Sequence, residues 1–184
     1  FFKQAKYTLL DQNTFWLCEK PDSVGMVGWD AALTRIATWV KLQDKKTGQI
    51  LMVVNTHFDH IGTEARRNSA LLIIEKIKEI VGTSPAILTG DFNVSEDWDA
   101  YKTITNNEFI LKDAHKVAGK RTGVDFTYHN FGKIPAEKCE KIDFIFVTPQ
   151  IRVISSYIPF SQLNDTLFLS DHNPEIVELE IEKS

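Results

Sequence analysis

A chain of 184 residues with 43% hydrophobic content is long enough for one domain with a substantial core. Its formal net charge of -4 argues against a strong sequence-independent grip on nucleic acid, without excluding a nuclease with a local basic groove. Two cysteines, Cys18 and Cys139, make neither a disulfide framework nor a CxxC metal pattern, and no apolar run reaches the roughly 18 residues of a membrane span.

In chain order, Phe1-Phe2-Lys3-Gln4 matches neither a signal peptide nor a natural start. It reads as the middle of a strand, so the chain is expected to begin inside a larger domain. Tyr7 to Leu10 and Thr14 to Leu17 are short strand candidates divided by an Asp11-Gln12-Asn13 turn. Arg35 to Leu42 and Ile50 to Asn55 are apolar and β-branched, and the polar stretch Asp44 to Gly48 between them predicts a β-hairpin. From Thr63 to Val81, Ala70, Ile73, Ile74, Ile77 and Ile80 recur at helical spacing, with Thr63 as N-cap and Gly82 as stop. Pro85 to Thr89 is a buried strand, and a shorter helix is expected near Glu96 to Thr105. Lys116, Lys120 and Arg121 form a basic cluster in a loop after Asp113, either a phosphate-approach surface or a solvated loop. Ile142 to Val147, Val153 to Ile158 and Glu175 to Ile181 supply three more strands, the last only partly alternating. Because the hairpin demands antiparallel pairing, two sheets with helices outside them fit better than one open parallel sheet.

Chemistry gathers where these strands end. Asn55-Thr56-His57, Gly90-Asp91-Phe92-Asn93 and Ser170-Asp171-His172 each place amides, carboxylates or imidazoles after a β-rich run, the position at which α/β proteins collect catalytic groups. Together they hold the parts for a divalent metal and an activated water attacking a phosphate ester. Asp91 and Asn93, at i and i+2, share one face of an extended segment. Asp91 can position or deprotonate the water, and neutral Asn93 can donate to a phosphoryl oxygen. Protonated, His57 would neutralise charge on the non-bridging oxygens or help the leaving group, while Asp59 and His60 brace its loop or join the chemistry. Asp143, among aromatic and aliphatic neighbours, needs a partner to stay ionised or else lies at a wet sheet edge. His115 and His129 carry no paired motif and read as surface or rim residues, although Tyr128 to Phe131 can line a pocket. Trp39 reads as core; Trp16 and Trp29 can edge a cleft.

The motifs Asn55-Thr-His-Phe-Asp-His60, Gly90-Asp-Phe-Asn93, Lys141-Ile-Asp-Phe-Ile-Phe146 and Ser170-Asp-His172 resemble the endonuclease/exonuclease/phosphatase superfamily. The segments Thr14 to Glu19, Gly28 to Arg35 and Asn55 to His60 look most like a bacterial branch of mostly uncharacterised members. The resemblance covers nearly the whole chain. It implies an α/β protein of the α+β type, a four-layer sandwich of two mixed, largely antiparallel sheets flanked by helices. It also implies phosphoester hydrolysis with Mg²⁺ or Mn²⁺. By resemblance, His172 sits beside the scissile phosphate as general base or charge stabiliser, Asp143 holds its ring, and Asp171 with Asp91 faces the metal. Arg66 resembles a position bracing the loop of His57, and Asn55 and Trp29 are further substrate-side candidates. The family's early asparagine and metal-binding glutamate have no counterpart here, and Leu17-Cys18-Glu19 does not match that motif. Residues 1–184 are thus expected to be such a domain without its N-terminal portion. A small phosphorylated substrate, a nucleic acid, and a catalytically incomplete binding domain remain three alternatives, and no partner protein is evident.

Overall fold

The computed structural model describes residues 1–106, 109, 111–164 and 167–181. The first strand does not begin at Phe1. Lys6 and Tyr7 N–H both donate to the Lys3 carbonyl, closing a turn, and β1 runs from Tyr7 to Trp16 as one strand. The expected turn at 11–13 is a register shift between Leu9 and Asp11 instead. Asp11 and Asn13 satisfy the next residue's N–H with their side chains, which an exposed edge strand tolerates.

The hairpin β2 (Ile36–Asp44) and β3 (Ile50–His57) is present. Its turn is closed by Asp44 Oδ1 accepting from Lys46 and Thr47 N–H, with Gly48 at φ 74°. Helix α1 (Thr63–Val81) follows. Its N-cap is Gly62 rather than Thr63, and the carboxylate of Asp30 caps the helix from outside by accepting from Glu64 and Ala65 N–H. Gly82 ends it at φ 57°, donating to the Lys78 carbonyl. Then come β4 (Ala86–Asp91), α2 (Asp99–Thr105), β5 (Lys112–Asp113), α3 (Ala114–Val117), β6 (Lys120–Gly123), a 3₁₀ turn (Ala136–Lys138), β7 (Asp143–Val147), β8 (Ile151–Ile158), the small pair β9 (Gln162–Asn164) and β10 (Leu167–Phe168), and β11 (Ile176–Ile181). The basic cluster is therefore not a loop: Lys116 lies in α3 and pairs with Glu96 at 2.5 Å, and Lys120 and Arg121 lie in β6.

Six strands form one mixed sheet in the order β1-β2-β3-β4-β7-β5, in which β3 and β4 run parallel and the other neighbours antiparallel. A second sheet has the order β11-β8-β6. Alternation sorts the central strands between two cores. Met52, Val54, Leu88, Phe144 and Phe146 face α1 and α2, against Ala70, Ile73, Ile77 and Ile104. Leu51, Val53, Ile87, Ile145 and Val147 face the second sheet, against Ile151, Val153, Val177 and Leu179. The architecture is a layered α/β sandwich of two packed mixed sheets with helices over the larger one. Along β11 the alternation is complete, with Ile176 the outward apolar residue.

Candidate active site

The pairing register brings the strand-end residues into one row. His57 on β3 is the partner of Asp91 on β4, and Asp91 is the partner of Asp143 on β7. All three share a face with the inner-core residues below them, so they stand side by side at the end of the inter-sheet layer. Each is followed by a phenylalanine on the opposite face: Phe58, Phe92 and Phe144 are buried, and the Phe58 and Phe92 rings meet edge-on at 4.9 Å. These aromatic anchors hold the row from behind. Gly90 is required between them, because a Cβ there would lie 2.1 Å from the Thr56 carbonyl oxygen.

His172 comes to this row from the other sheet's side. Its Nδ1 donates to Asp143 Oδ2 at 2.7 Å, leaving Nε2 as the nitrogen available to a ligand. The hydrogen bond to Asp143 raises the His172 pKa above its ordinary value, and burial only partly opposes it. His57 Nε2 lies 3.3 Å from Asp91 Oδ2. Burial lowers the His57 pKa, with the positive charge of Arg35 adding to that and Asp91 opposing it. The Asp91 carboxyl is pushed up, first by burial and then by the negative charge of Asp143. Asn93, at φ 50°, donates its backbone N–H to Asp91 Oδ1 and one amide hydrogen to the Phe58 carbonyl. That locks the loop after β4 to the loop after β3.

A cleft of about 430 Å³ opens over this row, lined by Asn55, His57, Thr89, Asp91, Asp143 and Glu175 among others. Asn55 Oδ1 accepts from the Thr89 hydroxyl on its floor. Beside the cleft-lining row, Tyr128 and His172 stand as a wall, their ring centroids 5.0 Å apart and the Tyr128 backbone bridged to both His172 and Glu140. Among the described residues, Asp91, Asp143 and His172 present ligand atoms within 4.8 Å of one another. Two carboxylates facing each other across one strand pair, one of them pushed up by burial and then by the other's charge, suit a divalent cation.

Other sequence-predicted residues lie elsewhere. The Asp171 carboxylate is outside that three-residue group; the Asp171 carbonyl accepts from His129 N–H, and its side chain faces Ser170 Oγ at 3.4 Å. Trp29 is not on the cleft; at φ 48° it donates its backbone N–H to Glu19. Arg66 is buried, donating to the Asp59 carbonyl and stacking on Trp98 at 4.8 Å. Asp59 itself braces the loop: its carboxylate accepts from Leu33, Ile61 and Gly62 N–H and pairs with Arg35 at 3.6 Å. His115 and His129 are buried rather than on the rim. His115 Nδ1 is 2.8 Å from the Ser156 hydroxyl, and His129 sits among Phe160, Phe168 and Phe126 with Nδ1 accepting from Gly132 N–H. Sequence reasoning assigned no role to Lys141 or Glu175. Lys141 Nζ donates to the Asp143 carbonyl at 2.7 Å and to Glu175 at 2.8 Å. The available signal was a lysine and a glutamate bordering otherwise apolar strands.

Residues 6–172 match the Endonuclease/Exonuclease/phosphatase family. The chain belongs to that family. An endonuclease/exonuclease/phosphatase from Bacteroides vulgatus superposes with a TM-score of 0.94 at 64% identity, over 98% of this chain and 69% of that one. Mannosyl-6-phosphatase Bt3783 of Bacteroides thetaiotaomicron superposes at 0.88 with 34% identity, over 98% of this chain and 69% of its own. The uncharacterised protein L388 of Acanthamoeba polyphaga mimivirus is 30% identical over 175 residues, 90% of this chain; the chain spans 63% of that curated relative's length. Family members hydrolyse phosphate esters.

Proposed function

We propose that these residues carry the hydrolytic site of a Mg²⁺- or Mn²⁺-dependent phosphoesterase acting on a small phosphorylated substrate. The row His57-Asp91-Asp143 completed by His172 is the observation that carries the reading. Asp91 and Asp143 would hold the cation, with Asp171 next in line. When bound, the cation supplies Lewis-acid neutralisation of charge on the phosphoryl group.

The chain's own groups divide the rest of the work. Asp91, its carboxyl pushed up by burial, takes the proton of the attacking water. His172, held by Asp143 through Nδ1, presents Nε2 to the phosphate and carries a proton there when charged. His57, lowered by burial, donates a hydrogen bond to a non-bridging oxygen, and the second amide hydrogen of Asn93 serves another. Asn55 and Thr89 floor the cleft beside them. Among the described residues, those lining the cleft include no lysine or arginine, which favours a compact phosphoester over a long polyanion. The likeness to a mannosyl-6-phosphatase supports a sugar phosphate in particular.

Two protein carboxylates leave much of an octahedral shell to others. We therefore propose that a further carboxylate comes from outside the 184 residues. Calorimetric titration should show weak Mg²⁺ binding by this chain and tight, activating binding by an N-terminally extended form; equal affinity would remove that ligand from the scheme. The function itself is tested by hydrolysis of p-nitrophenyl phosphate and bis(p-nitrophenyl) phosphate by the extended form, with Mg²⁺ and with a chelator. Asp91→Ala should cut turnover at least about a hundredfold. Hydrolysis that survives either the chelator or that substitution would sink the proposal.

A further inference from the structure

The Asp143–His172 contact joins the start of β7 to the segment that leads into β11 of the other sheet, and a second contact joins the same two segments beside it. Lys141, two residues before Asp143, reaches Glu175, three residues after His172, at 2.8 Å. Both side chains are almost fully buried, at 7% and 3% exposure. The Lys141 ammonium also donates to the Asp143 carbonyl at 2.7 Å and lies 3.9 Å from the centre of the Phe144 ring. The second Glu175 oxygen accepts from the Ser156 hydroxyl on β8 at 3.3 Å, and that hydroxyl meets His115 Nδ1 on α3 at 2.8 Å. One connected set of bonds thus runs from the backbone of Asp143 through Lys141 and Glu175 into the second sheet.

We infer that the buried Lys141–Glu175 pair is a clamp that positions His172 against Asp143 and so sets the alignment of the cleft's imidazole. The inference rests on the phosphoesterase reading for its functional consequence, but not for its structural one. Among the described residues, the backbone–backbone bonds beside His172 are His129 N–H to the Asp171 carbonyl and Asn173 N–H to the Thr127 carbonyl, and His172 N–H itself donates to Ser170 Oγ. They fix the height of the segment over the strand. The clamp is a nearby contact that ties it laterally to the start of β7, because the Lys141 ammonium that meets Glu175 also donates to the Asp143 carbonyl. A buried ion pair is a poor stabiliser compared with apolar residues of similar volume, so its worth here is geometric.

The decisive variant is the double Lys141→Met/Glu175→Leu, which strands no charge. In this chain, without metal, the downfield proton resonance of the His172 Nδ1–H bonded to Asp143 (assigned by its loss in His172→Gln) should disappear into exchange with water while the protein stays folded. In the extended form, turnover should fall about tenfold to a hundredfold with little change in KM, the scale of a reacting group misplaced by about an ångström. Lys141→Arg, which keeps a cation opposite Glu175, should restore the resonance and most of the turnover. A folded double variant that keeps the resonance would overturn the clamp. A double variant that fails to fold would overturn it too, by assigning the pair to the fold as a whole. If the resonance responds as expected but the unsubstituted protein hydrolyses no phosphate ester, the clamp stands and the function proposed above falls.

Discussion

The floor and the wall of the cleft are built by different means. The floor residues His57, Asp91 and Asp143 are set by consecutive rungs of one sheet, each backed by a buried phenylalanine. The wall residues Tyr128 and His172 lie outside any long strand, joined by single backbone bridges and by side chains. A ladder positions groups through many redundant bonds, whereas the wall depends on a few bonds that have no substitute. The floor should therefore fail through its backbone and the wall through individual polar groups.

The largest expected effect is on the floor. Gly90→Ala places a methyl 2.1 Å from the Thr56 carbonyl oxygen, and neither parallel strand can retreat without disturbing its neighbour. Denaturant unfolding should show a loss at the upper end of the about 1–3 kcal/mol seen for overpacked cores. A loss below about 0.5 kcal/mol, the size of an ordinary surface change, would show that the β3–β4 approach has slack and that the floor is not the rigid half.

Asn173 tests the wall in the same units. It is buried, donates its backbone N–H to the Thr127 carbonyl, accepts from Ser161 N–H through Oδ1, and donates through Nδ2 to the Phe126 carbonyl. Asn173→Ala leaves two of those backbone groups without a partner, at a cost of about 1–3 kcal/mol in unfolding experiments. Because Asn173 follows His172, turnover should fall with stability. In Gly90→Ala the His172 Nδ1–H resonance should survive, and in Asn173→Ala it should broaden. The reverse pattern would erase the distinction between the two halves.

This difference also governs what could be read from the sequence. The floor was legible because periodicity and strand-end chemistry coincide: an apolar run ending in Asn55-Thr-His57 or Gly90-Asp91 announces both element and site. The hairpin was legible from Asp44 and Gly48. Of the wall, Ser170-Asp171-His172 was legible as a motif, but the residues packed around it were not, because they are held by partners far away in sequence. His115 and His129 have no periodic neighbours that betray burial, yet each fills a buried slot against Ser156 or a cluster of phenylalanines. Strand β6 is exposed at every residue, so alternation could not reveal it. Asp11 and Asn13 carry turn chemistry that an edge strand with a bulge absorbs. The Asp30 cap on α1 reaches across 34 and 35 residues, beyond any local capping pattern.

The smallest expected effects are in the pH dependence of stability, where floor and wall have opposite signs. Beneath the floor, burial pushes the Asp59 carboxyl up, but backbone N–H groups of Gly62, Ile61, Ala32 and Leu33 outweigh it and hold the group well below the usual carboxylate range. Its stabilisation is fully present above the unfolded value of about 3.9 and is lost as pH falls through the lower folded value. In the wall, the bond to Asp143 raises His172 above its unfolded value of about 6.5, so its stabilisation is complete below that pH and is lost as pH rises through the folded value. His57 and His129, both lowered by burial, act in the opposite direction over the neutral range, so only a difference curve isolates His172. Unfolding free energies of this chain with a chelator present should therefore exceed those of His172→Gln at pH 5.5 and converge on them towards pH 9. Asp59→Asn should narrow its gap to the unsubstituted chain only at the acid end. A His172→Gln curve parallel to that of the unsubstituted chain from pH 5.5 to 9 would mean that the Asp143 bond adds no net stability. The wall would then be held by its backbone, as the floor is.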